Sequence, residues 1–247
     1  MSTQALYNFH KGTIFTKICK WILKSFDKIV AQSQQSKEEL LEIRLAQGGI
    51  DVFGHWIDQT NFKPRDKAEC KRELGWRDKF TALFVGRLIL IKGVSVVLEV
   101  ARTVTRDIAF VIVGDDGPQL DLVKEAEREL PNVTYVSKVN YKDLPSYYNA
   151  ADIFVYPALY EEDMARVIIE SLACGTPVIV TNKGSPPYEL DSSVAIITNA
   201  NAEVIKKHIE FLYANPEKLK TLAEGCRTYA IKRFDFQNAK VITDNYN

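Results

Sequence analysis

The sequence is poor in the residues that mark redox, metal or membrane chemistry. Its 247 residues include 4 cysteines, 3 histidines and 2 methionines. Cys19, Cys70, Cys174 and Cys226 form no C-x-x-C pair, which argues for reduced thiols, against a metal site and for a cytoplasmic setting. Lys+Arg and Asp+Glu both total 32, so the basic excess that usually accompanies nucleic-acid binding is missing and no nucleic-acid partner is expected. No apolar run approaches the roughly 20 residues of a membrane span, and the first residues show neither the apolar core nor the cleavage site of a signal peptide. Internal repeats and low-complexity tracts are lacking too. What is there is a 46% hydrophobic chain that can bury one large core or two modest ones.

From residue 80 a regular alternation begins. TALFVGRL, AFVIVGD, NVTYVS, DIFVYPA, PVIVTN and VAIIT read as short strands that are apolar throughout, as a parallel sheet covered on both faces requires. Between them VSVVLEVARTV, QLDLVKEAEREL, LPSYYNAA and a stretch from about Ala165 to Cys174 have helical spacing, Gly175 and Pro177 closing the last of these. A Pro-rich loop is expected at Ser185 to Leu190. The fold class is α/β, a doubly wound, Rossmann-like parallel sheet over residues 80–235. Earlier, a strand at Lys28 to Ala31 and a helix opened by Ser36 make a partial α/β segment over residues 1–61, followed by a linker with a short helix at 62–79. The last stretch reads as two or three helices broken at Asn215-Pro216 and at RFDF, with residues 236–247 forming a C-terminal helix that returns to the N-terminal segment.

In YEEDMARVIIESLACGTPVI, Glu162 lies in the loop before a helix and Glu170 lies within it. In isolation the first would complement the helix dipole and the second would belong to a solvated stripe. The sheet changes that reading. With strand order 3-2-1-4-5-6, ligands bind at the carboxyl ends of strands one and four, which places GRLILIKG opposite LYEEDMA. Gly86, Arg87 and Lys92 would then form a phosphate pocket at a helix N-terminus, Arg supplying a planar fork and Lys a mobile point charge suited to a diphosphate. A sugar nucleotide carries diols on both sides of its diphosphate, and carboxylates accept from diols well. Glu170 would take the ribose and Glu162 the transferred sugar, with backbone N–H groups of Asp163, Met164, Ala165 and Arg166 aimed at phosphate or sugar.

At these residues the chain resembles the C-terminal, donor-binding half of GT-B glycosyltransferases, specifically the retaining enzymes of family 4. The resemblance rests on G-R-L-x-x-x-K-G, the E-x7-E pair Glu162/Glu170 and S-L-A-C-G-T-P-V-I, and extends through VGDDGP, DLPSYYNAADIFVYPA and TNKGSPPYEL, from roughly Phe26 onward. It implies that Arg87 and Lys92 bind the donor diphosphate and stabilise the departing charge, that Glu162 positions the donor sugar, that Glu170 binds ribose, and that the main chain near Val139 meets the base. It further implies transfer of a hexose from a UDP-, GDP- or ADP-sugar to an acceptor hydroxyl with retention, without a metal or other cofactor.

Two departures from the family pattern shape these expectations. Asp163, Met164 and Ala165 stand where the family has Gly-Phe-Gly, which implies a loop that sits differently or selects a different sugar. Residues 1–61 resemble only the last part of the family's acceptor domain, so an acceptor half supplied by a partner chain is expected. A non-catalytic nucleotide-sugar-binding module is the alternative, and a sugar-nucleotide epimerase shares the architecture but fits the motifs less well. Residues 14–28 interleave Ile14, Phe15, Ile18, Trp21, Ile22 and Phe26 with lysines, a basic amphipathic stretch that would either pack on its own segment or lie on an anionic membrane surface. G-D-D-G-P reads as a turn, and Lys183-Gly184-Ser185 as either an ordinary loop or one that approaches the donor.

Overall fold

A computed structural model describes residues 17–18, 21–22, 25–26, 29–31, 33–42, 49–240 and 244. The chain divides into two units, Met1–Trp56 with Phe236–Asn247, and Ile57–Asp235.

In the first unit, strands β1 (Ile29–Ala31) and β2 (Ile50–Val52) pair in parallel around helix α1 (Gln34–Glu42). The helix begins two residues before the serine expected to start it. Ser33 Oγ accepts from the Ser36 N–H at 3.1 Å, so Ser33 holds the capping position and Ser36 lies in the first turn. Lys17, Ile18, Trp21 and Ile22 are helical, and the side chains of Ile18, Trp21, Ile22 and Phe26 are exposed. Ile14, Phe15, Lys20, Lys24 and Lys28 lie outside the described residues. Phe236–Ala239 is a 3₁₀ turn, with Phe236 packed edge-on to Trp56, and half of the residues of the expected C-terminal helix, 241–243 and 245–247, lie outside the described residues.

The second unit opens on helix α2 (Lys67–Glu73), whose Asp66 caps the Glu69 N–H. Residues 62–79, read as a linker, carry this helix and bury Phe62 and Cys70 completely. Then follow β3 (Phe80–Val85), α3 (Val94–Thr103), β4 (Ile108–Val113), α4 (Leu120–Glu129), β5 (Val133–Val136), α5 (Leu144–Ala150), β6 (Ile153–Tyr156), α6 (Arg166–Ala173), β7 (Val178–Thr181), α7 (Pro186–Glu189), β8 (Ala195–Thr198), α8 (Ala202–Ala214) and α9 (Pro216–Arg233). The Pro-rich loop contains a short helix, α7, because proline at the first helical position has its torsion already set and no N–H to leave unpaired.

The sheet is wholly parallel in the order β5-β4-β3-β6-β7-β8. Counted from β3, this is the doubly wound order 3-2-1-4-5-6 expected from the sequence. Ala82 and Leu83 of β3 face Ile153 and Phe154 of β6 across the point where the order reverses. Apolar residues cover both faces of β3, β4 and β6, and α6 adds Ile168, Ile169 and Leu172, each fully buried and each contributing about 2 kcal/mol. Cys70, Cys174 and Cys226 are free thiols in this packing.

Candidate functional site

The β3–α3 loop and the β6–α6 loop leave the carboxyl ends of adjacent strands and are tied to each other. The first runs from Gly86 through a 3₁₀ turn at Leu90–Lys92 and ends at Gly93, whose φ of 75° lets the chain turn into α3. A Cβ on Gly93 would lie 1.9 Å from the Pro157 carbonyl oxygen, so only glycine permits this approach. The Leu159 N–H donates to the Ile91 carbonyl at 3.0 Å, a second tie between the loops.

Tyr156, the last residue of β6, sits where these loops meet. Its hydroxyl donates to Glu162 Oε1 at 2.9 Å, and Lys92 pairs with the other oxygen of the same carboxylate. The Lys92 ammonium lies 5.6 Å from the centre of the Tyr156 ring. A side chain on Gly86 would start 3.6 Å from the ring edge, so Gly86 is in contact range too. Arg87 is exposed on the same loop, and its charge reaches the Tyr156 hydroxyl. Burial first, and then the Glu162 carboxylate, push the Tyr156 hydroxyl above its ordinary pKa, and Arg87 only partly opposes this. It therefore remains an O–H donor.

The loop after β7 holds Glu162 from the other side. Gly184, at φ 69°, approaches so closely that a Cβ would lie 1.9 Å from the Glu162 carbonyl oxygen, and the Ser185 N–H donates to that oxygen at 3.0 Å. Ser185 Oγ is 3.4 Å from Asp163 Oδ1, which draws the Asp163 carboxylate toward the β7–α7 loop. Met164 is 3% exposed with its side chain in the core, so its main chain is what remains to face a ligand. Ala165 is the N-cap of α6 and makes no side-chain cap hydrogen bond, so the positive end of the helix carries no capping side chain from that residue.

Glu170 belongs to a second cluster. It is 3% exposed and accepts from the Tyr148 hydroxyl at 2.8 Å; among the described residues no hydrogen bond reaches its other oxygen. Burial raises its pKa, against the Tyr148 hydrogen bond and the Arg166 charge, which lower it. Arg166 lies 5.9 Å from the centre of the exposed Tyr141 ring, with Nη2 3.4 Å from its hydroxyl. Val139 is half-buried against the core in the segment after β5. Gly86, Arg87, Lys92 and Glu162 thus gather at Tyr156, and Glu170 and Arg166 gather around Tyr148 and Tyr141.

Residues 66–229 match the family described as Glycosyl transferases group 1. The chain belongs to that family. Within the glycosyl transferases group 1, it is 29% identical over 203 residues to spore coat protein SA of Bacillus subtilis, covering 76% of this chain and 54% of that one. It is 30% identical over 212 residues to a D-inositol 3-phosphate glycosyltransferase of Segniliparus rotundus, covering 81% and 47%. The chain spans about half the length of these relatives. Among solved structures, sucrose-phosphate synthase of Thermosynechococcus elongatus matches with a TM-score of 0.81 at 23% identity over 98% of this chain and 64% of that one. HepE of Anabaena, solved in complex with UDP-glucose, matches at 0.79 with 19% identity over 99% and 68%. The fold is the doubly wound α/β fold of GT-B proteins that the motifs implied.

For a member of the glycosyl transferases group 1, the residues that motif reading does not reach are tyrosines. Tyr156 lies in an apolar strand where it reads as core, and its one signal is its place as the last residue of a strand at the switch point. Tyr148 meets Glu170 across two helices, α5 and α6, and no sequence spacing announces that contact. Ser171, between Glu170 and Leu172, bonds the Thr176 carbonyl and serves the turn that closes α6.

Proposed function

We propose that the chain binds a nucleotide-diphosphate sugar at the carboxyl ends of β3 and β6 and forms the donor side of a retaining hexosyltransferase. The observation that carries this reading is the convergence of Gly86, Lys92 and Glu162 on Tyr156 at the point where the strand order reverses. A cation, a carboxylate and an uncapped helix start at one strand crevice suit a ligand with both negative charge and hydroxyl groups.

Arg87 and Lys92 take the diphosphate, the main-chain N–H groups of Asp163 to Arg166 face phosphate or sugar, Glu162 accepts from the hydroxyls of the transferred sugar, Glu170 accepts from ribose, and the main chain near Val139 meets the base. As the sugar–diphosphate bond breaks, negative charge collects on the nucleotide, and Arg87 and Lys92 stabilise it. A diphosphate leaves without protonation by a general acid, so both glutamates act as positioning groups rather than as the acid and base of a glycosidase. The acceptor hydroxyl attacks from the leaving-group side, and a diphosphate oxygen takes its proton. The acceptor side comes from outside Ile57–Asp235, and a cytoplasmic setting is supported by the buried free thiols.

The test is calorimetric titration of the chain with UDP, GDP, ADP and their hexose conjugates, with Glu170→Ala beside it. One nucleotide series is expected to bind in the micromolar to millimolar range and to weaken by about tenfold or more in the variant. Binding of none of them overturns the proposal.

A further inference from the structure

Tyr156 is more constrained than a core aromatic needs to be. Its ring lies nearly parallel to Phe84 of β3 and Phe154 of β6, at 6.0 and 6.1 Å between centres, and it is 3% exposed. The ring therefore cannot swing, and its hydroxyl occupies one fixed point at the end of β6. From that point it donates to Glu162 Oε1, while Lys92 stands over the ring face and pairs with Oε2. The Glu162 main chain is independently fixed by the Ser185 N–H. What is left free in Glu162 is its side-chain torsions, and without a second donor its carboxylate would turn toward the ammonium, which is the stronger attraction.

The geometry points to Tyr156 as a positioning residue for the donor: its hydroxyl holds Glu162 and its ring carries Lys92, so that the sugar-side carboxylate and the phosphate-side cation keep a set separation. When a diphosphate draws Lys92 away, Glu162 retains the Tyr156 bond and stays aimed at the sugar hydroxyls. This inference rests on the donor reading above, and it adds a residue through which the two halves of the donor are kept in register. A hydroxyl that merely satisfied the core would affect stability and leave the ligand preference alone.

The experiment uses Tyr156→Phe in the full chain, which removes the hydroxyl and keeps the ring stack. Calorimetry with UDP and UDP-glucose, and with the GDP and ADP pairs, measures the preference for sugar conjugate over bare nucleotide. The variant is expected to bind the bare nucleotide within about twofold of wild type and the conjugate about tenfold more weakly, the usual scale of one hydrogen bond to a charged group. Because Tyr156 acts through Glu162, adding Tyr156→Phe to Glu162→Ala should change the conjugate affinity no further. An unchanged preference in Tyr156→Phe, or full additivity with Glu162→Ala, overturns the role of Tyr156 while the donor site stands. Failure of the wild type to bind any nucleotide removes the donor reading and this inference together.

Discussion

Glu170 is a carboxylate in a poor place for stability. It is 3% exposed, and its hydrogen bond comes from Tyr148, a neutral donor. Burial lifts its pKa above the ordinary 4.5, and the Tyr148 bond and Arg166 charge recover only part of that. A raised folded-state pKa means that the native state holds the proton more tightly than the unfolded chain does. The stability this supplies is complete below pH 4.5 and is lost as pH rises through the folded value, so at neutral pH the ionised group destabilises the fold. Glu170→Gln keeps the shape and an acceptor for Tyr148 and removes the charge. It should raise Tm at neutral pH, with the gain shrinking as the pH falls through the folded-state value and gone below the ordinary glutamate value, and at the same time weaken nucleotide binding. A Tm at or below that of wild type throughout this range would show that the ion is stabilised where it lies and would remove the argument that a ligand is what the buried charge serves.

Most elements were legible because their sequence patterns answer to one force each. Apolar runs became β3 to β8 within one to three residues of expectation, since a sheet covered on both faces leaves no alternation to misread. Errors fell where two signals competed: Ser33 rather than Ser36 caps α1, and prolines that read as loop start α7. The loops of the site were readable because the switch point follows from strand order, whereas Tyr148 and Tyr156 hid among apolar neighbours. The β7–α7 loop was undecided in sequence, and the structure gives it a task, since Gly184 and Ser185 grip the Glu162 main chain. Gly184→Ala should therefore do two things. The strain of a left-handed alanine alone, about 1 kcal/mol, lowers Tm by about 2–4 °C, and the clash with the Glu162 main chain lowers it further and weakens sugar-nucleotide affinity by about tenfold. Gly75 has the same φ of 69° with nothing within 4 Å of an added Cβ, so Gly75→Ala serves as the control that shifts Tm alone. Equal ligand affinity in the two variants would show that the grip on Glu162 does not matter to the site.

Among the described residues, the larger core draws on one unit only. Its members run from Ile57 to Phe234, and the Ile57 N–H donates to the Phe234 carbonyl at 3.2 Å, so the chain enters and leaves the unit at adjoining points. Arg227 of α9 secures the entry by donating to the carbonyls of Gln59, Phe62 and Ala173. Every residue proposed to hold the donor lies within this unit. The other unit carries the exposed Ile18, Trp21, Ile22 and Phe26 next to Lys17, the pattern of a helix that can lie on an anionic surface. The two units should therefore separate by function as well as by packing. A polypeptide of residues 57–235 is expected to unfold cooperatively and to bind the preferred nucleotide within about twofold of the full chain, because the described members of the larger core and of the proposed donor site all lie within it. The full chain alone is expected to sediment with phosphatidylserine vesicles, and this association should fall as salt is raised, since part of the attraction is between lysines and lipid charge. If the shorter polypeptide loses nucleotide affinity, the donor site depends on the first unit. If both polypeptides sediment, or neither does, residues 14–28 are not a membrane contact.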